Sequence, residues 1–182
     1  MDKKLLIVGR SSSGKTSIAS AACDRLGLKL VKSYTTRPPR NEKEATNPKD
    51  HIFITEGDVA KYEDDFAAYT EINGYKYFTT IDQLDECDAY VIDPNGIKSL
   101  KERCGNMFDF RIVYVRTSPA IAKERAKKRG DGEVFDSRTA DEDTQFKQFE
   151  KDIPWDYHLL NNDSFERAVE TMCKFMKKEF NL

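Results

Sequence analysis

Apolar and polar positions alternate along this 182-residue chain in two different rhythms. In the first, a short continuous apolar run is followed by helical spacing. Residues 5–8 form such a run and predict a buried strand. Ile18, Ala19, Ala22 and Leu26 then recur at helical intervals, predicting a helix over residues 15–26. Residues 28–31 predict a second strand. From Ser33 to about Thr80 the rhythm changes: HIFIT and YKYFTT alternate with a period of two, like antiparallel strands, and suggest a small inserted lobe.

Beyond residue 80 the first rhythm resumes. DAYVID predicts a strand, and Asp93-Pro94 opens a helix that ends near Gly105. FRIVYV predicts the next strand, and Ser118-Pro119 caps a helix that closes at Gly130. DGEVFD reads as a loop, and a long polar helix is expected from about residue 137 to 151, with the acidic run DEDTQ as a solvated face. Residues 157–160 predict a last strand, and Phe165, Val169, Met172 and Met176 form the apolar stripe of a final helix. Strands alternating with helices imply a parallel sheet covered on both faces, so the expected class is α/β. One domain is expected, with a core of residues 1–32 and 81–182 and the lobe at 33–80.

Charge and cysteine content narrow the partners. A formal net charge of -2 gives no global field toward nucleic acid or an anionic membrane, so anion binding has to come from local clusters. The N-terminal apolar run is too short for a signal-peptide core, and no run approaches membrane-spanning length. Cys23, Cys87, Cys104 and Cys173 are scattered without a CxxC and read as reduced thiols, which points to a cytoplasmic protein. Two histidines, His51 and His158, do not support a zinc site.

The local clusters carry the chemistry. GRSSSGKT matches G-x-x-x-x-G-K-[ST], and it follows a predicted strand and opens a predicted helix. Gly9, Arg10, Ser11, Ser12, Ser13 and Gly14 are expected to wrap backbone N–H groups around phosphate oxygens, with Ser17 just beyond. Lys15 would reach the β- and γ-phosphates of ATP, and the Thr16 hydroxyl would ligate magnesium. After the second predicted strand comes SYTTRPPR, in which two prolines stiffen the spacing between Arg37 and Arg40. Loops at the carboxyl ends of parallel strands converge on one crevice, so these guanidinium forks are expected to grip a second phosphate there. Arg125 and Arg129 lie i,i+4 on one helix face, and Arg138 follows the glycine-containing loop. Such a cluster suits a closing lid, about residues 126–140, that places positive charge on a phosphoryl group in transit.

These segments, with KDHIFIT, NGYKYFTT, VIDPNGI, KERAKKRG and LLNND, resemble guanylate kinases in order and spacing over nearly the whole chain. The resemblance implies a P-loop sheet core flanked by helices, a monophosphate-binding lobe and a lid. It implies transfer of the ATP γ-phosphoryl group to a nucleoside monophosphate, most simply GMP or dGMP. By the same resemblance Ser33 and Thr79 lie near the base, Tyr77 on the acceptor phosphate and Asp93 at the strand end. His51 stands where the family has a tyrosine on that phosphate, which would make the contact depend on pH. In gap-free register the family's guanine-reading glutamate falls at Ala68, and Glu71 would point to the opposite face. Two other readings therefore stay open: a kinase of this fold for another phosphorylated acceptor, and a non-catalytic binding module. Oligomeric state stays open as well.

Overall fold

The computed structural model describes residues 1–48, 50–130 and 132–182, and the side chains within them except those of Lys43, Glu133, Val134, Ser137 and Arg138. In chain order the elements are β1 (Asp2–Val8), α1 (Lys15–Leu26), β2 (Ser33–Thr35), α2 (Glu42–Thr46), β3 (His51–Phe53), β4 (Phe66–Ile72), β5 (Tyr75–Thr80) and α3 (Ile81–Asp85). They continue with β6 (Ala89–Val91), α4 (Pro94–Cys104), β7 (Phe108–Arg116), α5 (Pro119–Lys128), α6 (Gly132–Asp152), β8 (Tyr157–Leu160) and α7 (Phe165–Phe180).

The core sheet has the order β6-β1-β7-β8, with every neighbouring pair parallel. The strand period of two divides its side chains between two faces. Leu5, Ile7, Val113 and Val115 pack with Ile18 and Ala22 of α1 and with Val169 and Met172 of α7. Leu6, Val8, Ile112 and Tyr114 pack with Ile97 and Leu100 of α4 and with Phe146 and Phe149 of α6. Both faces are thus covered, as the strand–helix alternation requires, and the α/β class holds.

The second sheet has the order β3-β2-β5-β4. Its β2–β5 and β4–β5 pairs are antiparallel, whereas β2 and β3 run parallel, joined through α2 rather than by a hairpin. Val59, Phe66 and Phe78 form its own small core, flanked by Tyr34, Tyr62 and Tyr69. Strand β4 also leans on the main core: Ala67 and Ala68 pack in the cluster of Leu100 and Cys104, and the Tyr69 N–H donates to Ser99 Oγ at 3.2 Å.

Besides β3, which pairs in parallel where HIFIT reads like an antiparallel strand, the structure departs from the sequence pattern at three places in the core. Residues 28–31 make only the single bridge Leu30–Ala89 with the core sheet, because the chain crosses to the second sheet at Ser33 before a ladder can extend. Of the segment expected as a loop at DGEVFD, residues 132–136 are the start of α6, and Asp131 lies outside the described residues. Phe135 supplies the reason: it is buried against Ala122 and Ala126 of α5, and Gly130, at φ +84°, makes the preceding turn. Phe165 is 50% exposed, so the buried stripe of α7 begins one turn in, at Ala168 and Val169. No helix of the described residues is long and apolar enough to cross a membrane.

Candidate active site

The loop after β1 is shaped by contacts that exclude side chains. A Cβ on Gly9 would lie 2.4 Å from the Val115 carbonyl oxygen, against the backbone of β7. Gly14 caps α1 at φ +85°, and a Cβ there would meet Asn161 Nδ2 at 2.5 Å. Between them Ser12 takes φ +62°, and the Ser13 N–H closes a turn onto the Arg10 carbonyl at 3.1 Å. The result is a concave loop at a helix N-terminus, the setting that favours anions. Lys15 is half-buried with Nζ 3.5 Å from the Arg10 carbonyl. Burial pushes its ammonium pKa down, against the pull of Glu142 and Asp93; Arg129 and Arg40 add to the depression. One cation therefore senses the loop, α6, the end of β6 and the arginine segment together.

A cleft of about 360 Å³ joins the glycine-bounded loop and the arginine segment. Gly9, Ser11, Lys15 and Thr16 line it from the loop. Ser33, Arg37, Arg40, His51, Tyr77 and Asp93 line it from the other side. Ser17 is exposed outside this lining, while Arg10, Ser12, Ser13 and Gly14 build the body of the loop. Thr79 is fully buried outside the lining and donates to Gln83 Oε1 at 3.0 Å.

Arg37 is the centre of the second group. It is 9% exposed, lies over the Phe53 ring, and forms a fork with Glu44, Nη2 to Oε1 at 2.8 Å and Nη1 to Oε2 at 3.2 Å. Its Nε is buried without a hydrogen-bond partner among the described residues. Burial would raise the Glu44 carboxyl, but the Arg37 fork and the Arg40 backbone N–H outweigh it and hold the pKa at about 2. The Tyr77 hydroxyl contacts the Arg37 guanidinium. His51 pairs through Nδ1 with Ser33 Oγ at 2.9 Å and lies edge-on to Tyr77. Desolvation, then Arg37 and Arg40, push its pKa down to about 4. Asp93 caps α4 through the N–H groups of Asn95 (2.9 Å) and Gly96 (3.0 Å). Burial raises its pKa against those bonds. On β4, Ala68 and Thr70 line the cleft, whereas Glu71 accepts from the Tyr69 hydroxyl and stays out of it.

The family model described as guanylate kinase matches residues 1–179. The chain belongs to the guanylate kinase family. It is 30% identical to a guanylate kinase from Geobacter metallireducens, over 92% of this chain and 84% of that protein. It is 26% identical to one from Fusobacterium nucleatum, over 94% of each. The fold resembles the crystal structure of guanylate kinase from Anaplasma phagocytophilum, with a TM-score of 0.66 and 18% identity, covering 98% of this chain and 86% of that one.

Within this member of the family, the arginines of α5 reach the loop from behind. Arg125 donates to the Asn161 carbonyl at 3.0 Å and to the Ser13 carbonyl at 3.4 Å, and burial lowers its pKa. Arg129, at the end of α5, donates to Ser12 Oγ at 2.7 Å. The Arg138 side chain lies outside the described residues. Three contributors escaped the sequence reading. Asn161 is 3% exposed and donates from Nδ2 to the Ser13 carbonyl at 2.7 Å. Glu142 and Asp143, expected on a solvated face, instead touch the phosphate loop: Glu142 accepts from the Ser11 N–H at 2.9 and 3.1 Å, and Asp143 pairs with Arg10. Spacing along the chain carries no signal for contacts across more than 130 residues. Only LLNND, as part of the family resemblance, pointed toward Asn161.

Proposed function

We propose that this chain is an ATP-dependent nucleoside monophosphate kinase that transfers the γ-phosphoryl group of ATP to GMP or dGMP. The carrying observation is that the Gly9–Thr16 loop and the Arg37 group line one cleft, with a buried Arg37 Nε–H that has no hydrogen-bond partner among the described residues. A buried donor without a partner is costly, and a phosphate dianion would satisfy it. The guanylate kinase relatives and the family membership support GMP as the first acceptor to try.

The chemistry follows from placement. The acceptor phosphate is largely dianionic at neutral pH, since its second pKa is about 6, so its oxygen is already a nucleophile. That oxygen forms a bond to the γ-phosphorus while the bond to the β–γ bridging oxygen breaks, and the electron pair leaves with ADP. The acceptor side would be oriented by Arg37, Arg40, His51 and Tyr77, with Ser33 toward the base and Asp93 at the strand end, while Thr79, buried with its hydroxyl on Gln83, would support this surface from behind. Lys15 would neutralise phosphate charge, and Arg129, within reach of Ser12, would meet charge developing on the transferred group. Arg125 would act through the loop by bracing the Ser13 carbonyl. Residues 33–80 would carry the acceptor, and residues 126–140, including Arg138, would close over the cleft and exclude water. The Thr16 hydroxyl and the Asp93 carboxylate are hard oxygen donors beside the same cleft, a set that suits Mg2+ held mainly by phosphates and water. When bound, the ion would supply charge neutralisation at those phosphates.

A second acceptor class is favoured by one observation: β4 presents Ala68 and Thr70 to the cleft, with no carboxylate. A bidentate base contact of this kind contributes about 1–3 kcal/mol of discrimination. ADP release with MgATP, measured against GMP, dGMP, AMP, UMP and ribose 5-phosphate, tests both readings. The highest kcat/KM on GMP or dGMP is expected. A preference for another acceptor would replace the substrate assignment, and no turnover on any would refute the kinase reading in favour of a binding module.

A further inference from the structure

The phosphate loop already holds an anion of the protein's own. Both carboxylate oxygens of Glu142 lie within hydrogen-bond distance of the Ser11 N–H, at 2.9 and 3.1 Å, and the Ser11 hydroxyl donates to the same group. The next residue of α6, Asp143, forms an ion pair with Arg10, and the Arg10 guanidinium lies 4.8 Å from the centre of the Phe146 ring. Glu142 lines the cleft beside Lys15 and is the strongest attractive charge acting on its ammonium. A carboxylate on a loop N–H, with a lysine beside it, makes the kind of contact that a phosphate oxygen makes in such a nest.

We propose that Glu142 is a built-in competitor for the phosphate position at Ser11, and thereby a determinant of what the loop binds. Resting on the reading of Gly9–Thr16 as a nucleotide cradle, the inference concerns how that cradle is filled. In the nucleotide-free chain the carboxylate satisfies the Ser11 N–H and partly neutralises Lys15. A polyphosphate chain binds by exchanging one of its oxygens for that carboxylate, so observed affinity is the difference between two anions on one seat. The exchange also frees α6 from one of the two polar anchors on the loop seen among the described residues, and the Asp143–Arg10 pair is the other. A ligand too short to reach Ser11 leaves Glu142 in place.

Calorimetric titration of the full chain with MgATP and with inorganic tripolyphosphate tests this, comparing wild type with Glu142→Gln and Glu142→Ala. Glu142→Gln keeps the side-chain shape and removes the charge, and Glu142→Ala vacates the seat. Both variants are expected to bind both ligands about tenfold more tightly, the effect of losing one charge-assisted bond that the ligand must otherwise displace. In the nucleotide-free chain, the Ser11 amide proton resonance is expected upfield in both variants relative to wild type, independently of any ligand. Equal or weaker binding by both variants, or an unchanged Ser11 resonance, would overturn the proposal while leaving the cradle intact. No binding of ATP or tripolyphosphate by any form would instead overturn the cradle reading and the proposal with it.

Discussion

A histidine in an anion site is usually a pH switch near neutrality, and at His51 the surroundings remove that switch. Its pKa of about 4, set by desolvation with Arg37 and Arg40 beside it, leaves the ring neutral in the free protein from about pH 5 upward. The pH-dependent contact expected from the substitution of tyrosine by histidine is thus displaced toward acid. The sign for stability follows from linkage. The unfolded chain, with the ordinary value of 6.5, binds the proton that the folded chain refuses, so stability falls as pH drops from about 6.5 to 4. Denaturation midpoints across that window should show the slope in wild type and a flatter course in His51→Asn. Glu44 acts in a lower window that only just overlaps this one: its carboxyl is held at about 2, so its contribution is complete above the ordinary value of 4.5 and is lost as pH falls from there toward 2. At Arg37 and Arg40 the prediction is kinetic. Alanine at either should raise the acceptor KM by about 10- to 100-fold, the worth of a charge-assisted bond, and leave the KM for ATP nearly unchanged. Equal losses for both ligands would contradict the division of the cleft into two seats.

At the scale of elements, legibility in the sequence follows the range of the determining contacts. The phosphate loop could be read because a strand, a glycine-bounded turn and a helix follow one another without interruption. The Asp93 and Ser118 helix caps were legible for the same reason, each side chain bonding N–H groups two or three residues on. Helix α6 was misread at its start because Phe135 stabilises it through Ala122 and Ala126 of another helix, while its own glycine and acids suggest a loop. Glu142 and Asn161 were illegible as loop partners because only the folded sheet brings them to Ser11 and Ser13. Two substitutions test these elements. Gly14→Ala must hold a left-handed conformation and displace Asn161, at a cost of about 1–2 kcal/mol from the backbone alone, readable by chemical denaturation together with weakened ATP binding. Phe135→Ala should speed amide exchange at the α5–α6 corner while α1 and α4 stay protected, because the cluster it completes contains, among the described residues, only Ala122 and Ala126 besides.

At the scale of the whole molecule, the question is whether the second sheet can melt alone. Its private core is small, three buried residues among those described, with mostly aromatic neighbours, which by itself would favour independent opening. Strand β4 argues the other way: it pairs with β5 through the lobe and at Ala67 and Ala68 enters the main core against α4. A strand shared by two hydrophobic clusters couples them, since losing its ladder strips cover from both. Phe78→Ala separates the alternatives. Phe78 is fully buried in the lobe, and its truncation should cost about 3–5 kcal/mol. The single tryptophan, Trp155, packs on Phe149 and Tyr114 in the main core and reports that core alone. Coupled sheets predict that Phe78→Ala lowers the Trp155 fluorescence midpoint and the far-ultraviolet dichroism midpoint together, in one transition. An unmoved Trp155 transition, with dichroism lost earlier, would show a lobe that folds and opens on its own, and would place the compliance needed for closure between the sheets rather than in α5 and α6.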